Sequence, residues 1–195
     1  MAFSKGKRIE DETSNRIVNL AVKIGCKEGP DALTVTRICR ELSCDRRVIY
    51  NRFRDVDEIN LIVADRCNKE LIANARAAID PEASYYDNFA ALVKAIFTYI
   101  CERNAFFQHY TALYKVTEDG TVINEILLDL IRLIEEGKEA GEVSKDTDSR
   151  ATAGNIWLII PGITRLIASN ANYKYQDGLN TVMHGVNAIS LNMKP

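Results

Sequence analysis

Apolar residues recur three and four positions apart along almost the whole chain, and strand-like alternation is nearly absent. Ile17, Leu20, Ala21 and Ile24 mark the buried stripe of a first helix over about 11–27. Lys27-Glu28-Gly29-Pro30 stops it. Thr34 is a good N-cap for a two-turn helix over 35–42, with Val35, Ile38, Cys39 and Leu42 on one side. After the short break Ser43-Cys44-Asp45, Asp45 is placed to cap a third helix over 46–53, in which Ile49 and Phe53 face inward. Asp55 and Glu58 have capping-box spacing for a fourth helix that reaches about residue 79, before Asp80-Pro81. Longer and more apolar helices follow, over 84–104, 105–115, 121–140, 148–170 and 175–192. Pro161 falls inside the eighth and is expected to kink it. The pattern predicts an all-α fold of about nine helices.

Composition narrows the class. The chain has 195 residues, enough for one large domain or two small ones. With 47% hydrophobic and 27% charged residues it is neither disordered nor collagen-like. The N-terminal stretch MAFSKGKRIEDET lacks the apolar core of a signal peptide, and apolar runs such as 156–160 are too short to cross a bilayer. A cytoplasmic protein is expected. Five cysteines, at 26, 39, 44, 67 and 101, include no CxxC pair and read as reduced thiols. No Cys/His cluster has metal-ligand spacing, so no metal and no cofactor is expected. The net charge of −2 argues against nucleic acid only until it is divided. Residues 1–54 carry twelve Lys and Arg against seven Asp and Glu, a net of +5, and the remainder carries −7. A basic head on an acidic body is the asymmetry expected when one end meets DNA.

The two short helices over 35–42 and 46–53, joined by about three residues, make a helix-turn-helix candidate. Opposite Ile49 and Phe53 the second of them presents Arg46, Arg47, Tyr50 and Asn51. Arginine suits guanine edges or phosphate, asparagine suits adenine, and a tyrosine hydroxyl suits phosphate.

Residues 34–59, TVTRICRELSCDRRVIYNRFRDVDEI, resemble the signature of the tetracycline-repressor (TetR) family of transcriptional regulators. The matching positions are Thr34, Ile38, Tyr50, Phe53, Glu58 and Ile59. The likeness is strongest over 13–65 and extends loosely to the whole chain, including the stretch IEEGKEAGEV at 134–143. Four positions depart from the pattern. Ser43 replaces the usual turn glycine, Asp45 a Ser or Thr cap, Arg47 a small residue, and Val56 a lysine that often contacts phosphate. The resemblance implies a DNA-binding domain over 1–55 and a ligand-binding and dimerisation domain over 56–195. It places Thr34, Thr36, Arg46, Arg47, Tyr50 and Asn51 near DNA, with Arg46, Arg47 or Arg54 available to compensate where Val56 stands in for lysine. Lys5, Lys7 and Arg8 correspond to the family's basic arm. It also implies an effector pocket for a small apolar or aromatic molecule. Phe89, Phe97, Phe107, Tyr110 and Trp157 would form its walls, with His109 and Tyr114 as polar contacts.

The last two helices, over 148–170 and 175–192, carry long apolar faces: Trp157, Ile160, Ile163 and Ile167 on one, Leu179, Val182, Met183 and Val186 on the other. In the family such a pair meets its two-fold mate, which would set two recognition helices on a palindromic duplex site. The expected function is a ligand-released DNA-binding regulator, most simply a repressor. A thiol-redox regulator of the same fold is the alternative, built on Cys39 and Cys44 with Arg40, Arg46 and Arg47 nearby. An all-helical enzyme finds little support. There is no GxGxxG, P-loop or HExxH, and the two histidines, His109 and His184, lie far apart, so no catalytic residue is expected.

Overall fold

The computed structural model describes residues 9–109, 115–116 and 122–195. Nine α-helices form among them: α1 Glu12–Glu28, α2 Val35–Leu42, α3 Arg46–Tyr50, α4 Val56–Ala77, α5 Tyr85–Glu102, α6 Asn104–His109, α7 Glu125–Glu139, α8 Ser149–Ser169 and α9 Tyr175–Asn192. The class is all-α, as the periodicity predicts. A turn of 3-10 helix spans Pro30–Ala32. Two two-residue strands, β1 Lys115–Val116 and β2 Val122–Ile123, pair antiparallel. The sixth and seventh helices are therefore shorter than expected. The start of α7 moves from 121 to Glu125, because Asn124 caps it through Ile126 N–H at 2.7 Å while the β-branched pair ahead of it is extended.

The chain divides into two compact units. The first comprises residues 1–67 and 105–110. Its core joins Ile17, Ala21 and Ile24 of α1, Ile38 of α2, Ile49 and Phe53 around α3, Ile59, Val63 and Cys67 of α4, and Phe106 of α6. The caps are local, and those at Thr34 and Asp55 fall where the spacing predicts. Asp11 accepts from Ser14 N–H at 2.8 Å, and Thr34 from Arg37 N–H at 3.2 Å. At the start of α4, Asp55 accepts from Glu58 N–H at 2.8 Å. Glu58 reaches one residue further back than a capping box, to Arg54 N–H at 2.6 Å. Asp45 sits at the N-cap of α3 but makes no side-chain cap bond.

The second unit comprises residues 68–104 and 111–195. Within it α5 packs against α7, α8 and α9, and α8 against α7 and α9. Phe89, Leu92, Ile96 and Phe97 of α5 fill the centre with Leu130 and Ile134 of α7, Ile160 of α8 and Val186 of α9. At Gly137 of α7 an added Cβ would stand 2.6 Å from Tyr85 Cδ2 and 2.7 Å from Val143 Cγ2, so glycine sets that close approach. The turn after α7 holds the start of α5. Glu142 accepts from Tyr85 N–H through its carboxylate at 3.2 Å and from the Tyr86 hydroxyl through its carbonyl at 2.8 Å. Asp129 is buried and shared by Arg76, at 2.7 Å from its Nε, and Arg132.

The two terminal helices use their apolar residues differently from expectation. Trp157, Ile160, Ile163, Val182 and Val186 are buried within the unit, so they are core and not an outward face. The outward apolar residues of the same helices are Leu158, 72% exposed, Leu166 and Leu191. A helix that meets two neighbours on one side keeps its long aliphatic residues on the other side in solvent.

Candidate nucleic-acid interface

Two short helices and a tight turn position the candidate surface. Ile38 and Ile49 have no exposure and Phe53 only 2%, so both helices are anchored from below. Ser43 ends α2 at φ 51°, ψ 48°, the left-handed region that favours glycine, and it is the one non-glycine residue there among those described. Cys44 N–H closes the turn on Cys39 C=O at 3.0 Å. α3 itself covers Arg46–Tyr50, and helical bonds continue past it, from Asn51 to Arg47 C=O at 3.0 Å and from Phe53 to Ile49 C=O at 2.9 Å.

Thr34, Thr36, Arg46, Arg47, Tyr50, Asn51 and Arg54 are all exposed. Tyr50, a large ring, is 54% exposed while its neighbours Ile49 and Phe53 are buried. Arg46 Nη2 donates to Thr36 Oγ1 at 2.9 Å, which brings two of the candidates together across the turn. Lys5, Lys7 and Arg8 lie outside the described residues.

Charge sorts the basic residues of this unit. Arg37 holds Glu28 through two bonds of 2.7 Å and Glu41 at 2.9 Å. Its guanidinium keeps the Glu28 carboxyl below its ordinary value. Arg52 clamps Asp11, its Nε at 2.9 Å from Oδ1, and donates to Val48 C=O at 3.0 Å. Arg54 pairs with Asp55 at 2.6 Å, so it is a committed cation beside Val56. Among the described residues Arg40, Arg46 and Arg47 form no ion pair, and all three are exposed. Arg40, in the last turn of α2, was not singled out for DNA from sequence. Its position one helical turn after Thr36 was the available signal.

The Cys39 thiol runs counter to the activation that the thiol-redox alternative requires. Burial and the neighbouring Cys44 push the Cys39 thiol up, against the smaller pull of Arg46.

The described effector candidates divide between the two units. Phe89, Phe97 and Trp157 are buried in the second unit. Phe89 stacks on Tyr85 at 5.6 Å and Phe97 on Tyr175 at 5.8 Å. Phe107 lies in the first unit, packed against the core that holds Phe106. Tyr110 and Tyr114 lie outside the described residues, as does the side chain of His109. A groove of about 460 Å³ runs between the end of α4 and α5, lined by Asn74, Lys94, Thr98, Tyr99 and Glu102 among others, and it includes none of these candidates.

No protein-family model and no curated sequence matches the chain. Solved structures do. A regulatory protein in the TetR family from Rhodococcus RHA1 superimposes with a TM-score of 0.65 at 17% identity, over 95% of this chain and 98% of that one. The fold is that of TetR-family regulators. The fatty acid degradation regulator FadR from Bacillus halodurans shares this TetR fold with a TM-score of 0.69 at 18% identity, over 94% and 97% of the two chains. The ketosteroid transcriptional regulator KstR2 of Mycobacterium tuberculosis does so with 0.63 at 14%, over 96% and 97%.

Proposed function

We propose that this chain is a DNA-binding transcriptional regulator that works as a two-fold dimer, most simply a repressor released by an apolar small molecule. The observation that carries the reading is the exposed set Arg46, Arg47, Tyr50 and Asn51 on the second helix of a helix-turn-helix whose other side is buried. Thr34, Thr36 and Arg40 border the same surface and suit phosphate contacts. The likeness to TetR-fold regulators supports both the DNA and the dimer. The two neighbours named for fatty acid degradation and ketosteroids favour an apolar effector. The aromatic residues Phe89, Phe97 and Trp157 are the side chains an apolar ligand would have to part.

The dimer face would lie on α8 and α9. Leu158, Gly162 and Leu166 follow at four-residue spacing down the exposed side of α8, and Leu191 is 64% exposed on α9. By length and composition α8 is apolar enough to cross a membrane, yet only 33% of its most apolar window is buried in the single chain. A second copy covers such a surface without a bilayer.

Genomic selection with the purified protein supplies the operator, and a gel shift then tests the interface. The double variant Arg47→Ala, Tyr50→Ala is expected to keep its helical circular dichroism and to lose at least tenfold in affinity, each base or phosphate contact being worth about 1–3 kcal/mol. Unchanged affinity would remove this surface from the reading.

A further inference from the structure

Four of the five cysteines lie in the first unit, and the fold gathers them in two pairs. Cys39 and Cys44 meet across the helix-turn-helix turn. Cys26 and Cys67, 41 residues apart in sequence, hold their Sγ atoms 3.8 Å from each other. Cys26 is half-buried near the end of α1, and Cys67 is fully buried midway along α4. The contact follows from a close helix approach beside it. A Cβ at Gly25 would stand 3.2 Å from Phe106 Cδ2 and 3.8 Å from Val63 Cγ1, and Val63 lies one turn before Cys67 on the same face of α4.

We propose that Cys26 and Cys67 are a dithiol–disulfide pair, oxidised by a peroxide to a bond that joins α1 to α4. Cys26 has the access that a small oxidant needs, and Cys67 is the resolving thiol. In the first step the Cys26 sulfur attacks the O–O bond, gaining one oxygen as a sulfenic acid while water leaves. In the second step the Cys67 sulfur attacks the sulfenic sulfur, an S–S bond forms, the S–O bond breaks, and a second water carries off the remaining thiol proton. Two thiols and one hydrogen peroxide thus give one disulfide and two waters, and an external dithiol reverses the step. The sulfurs need to close by roughly 1.8 Å to reach the ~2.05 Å bond length, a movement within reach of χ1 adjustments on two helices already in contact. The bridge encloses α2, the turn and α3 in one covalent loop, whereas a Cys39–Cys44 bond encloses only the turn. Closing the longer loop restrains the unfolded chain more strongly. The site rests on the packing of the first unit and not on the DNA-binding reading.

The test treats the full-length protein with hydrogen peroxide, alkylates it after unfolding, digests it without reduction and maps the peptides by mass spectrometry. The expected result is a Cys26–Cys67 linked peptide that disappears with dithiothreitol, together with a melting temperature several degrees above that of the reduced protein. Cys67→Ala, which keeps the site apolar, is expected to abolish the link and the thermal gain and to leave a Cys26 sulfenic acid that dimedone traps. Circular dichroism confirms that this variant folds. Full alkylation of both residues after peroxide, or a bond confined to Cys39 and Cys44, overturns the proposal. Gel shifts on the reduced protein are expected to be the same for Cys67→Ala and the parent, so failure of the DNA reading would be seen separately.

Discussion

Ser43 shows what one residue contributes at this turn. Its backbone is left-handed, where an L side chain costs on the order of 1 kcal/mol and glycine does not. Ser43→Gly is therefore expected to stabilise the protein by about 1 kcal/mol in urea unfolding, with unchanged helical content. Asp11 supplies a pH-dependent contact. The Arg52 guanidinium and the Ser14 N–H hold its carboxyl well below the usual carboxylate range. A depressed folded value means that the contribution is present above the ordinary value near pH 4 and is lost as pH falls through the folded value. Asp11→Asn is expected to be less stable than the parent at pH 7, and the gap should narrow steadily below about pH 4 in thermal melts. A gap independent of pH would show that the clamp is not ionic. These contacts mark the limit of reading at this scale. The apolar stripe places a helix start near Asp11 but counts Asp11 as helical, so its cap role is settled by the folded backbone. Its partner Arg52, and Glu28 as the partner of Arg37, follow only once the helices are folded together.

At the scale of elements, α1 to α5 and α7 to α9 begin and end within a few residues of where periodicity and caps predict, and α2 and α9 match on both bounds. The exceptions have local causes: Asn124 caps α7 later than expected, and β1 and β2 replace helical turns. The less legible element is α6. Its residues Phe106 and Phe107 belong to an aromatic-rich stretch that resembles an effector wall, yet Phe106 is fully buried in the core of the first unit. A core aromatic contributed from 39 residues beyond Cys67, where the rest of its unit ends, cannot be read from spacing. Phe106→Ala is expected to cost about 3–5 kcal/mol in denaturant unfolding, through lost burial and the cavity left behind. A loss below 1 kcal/mol would mean that α6 is not part of that core.

For the whole molecule the remaining question is what covers the exposed side of α8. Leu158 is the most exposed large hydrophobic residue described, and covering it removes apolar surface from water. Leu158→Arg is expected to shift the protein from dimer to monomer by light scattering at micromolar concentration, with the second unit still folded. An unchanged mass for the variant, or a monomeric parent, would set the dimer face aside. By itself the sequence determined the all-α class, the helix-turn-helix and its outward residues, and the basic head on an acidic body. These are local properties, set by spacing within two or three turns and by counted charge. Tertiary structure alone decided three things. It spent Arg37, Arg52 and Arg54 on carboxylates while leaving Arg40, Arg46 and Arg47 outside any ion pair among the described residues. It turned Trp157, Ile160 and Val186 inward and Leu158 outward. It brought Cys26 to Cys67. An apolar helix has more than one side, and which side is buried depends on neighbours that arrive from distant parts of the chain.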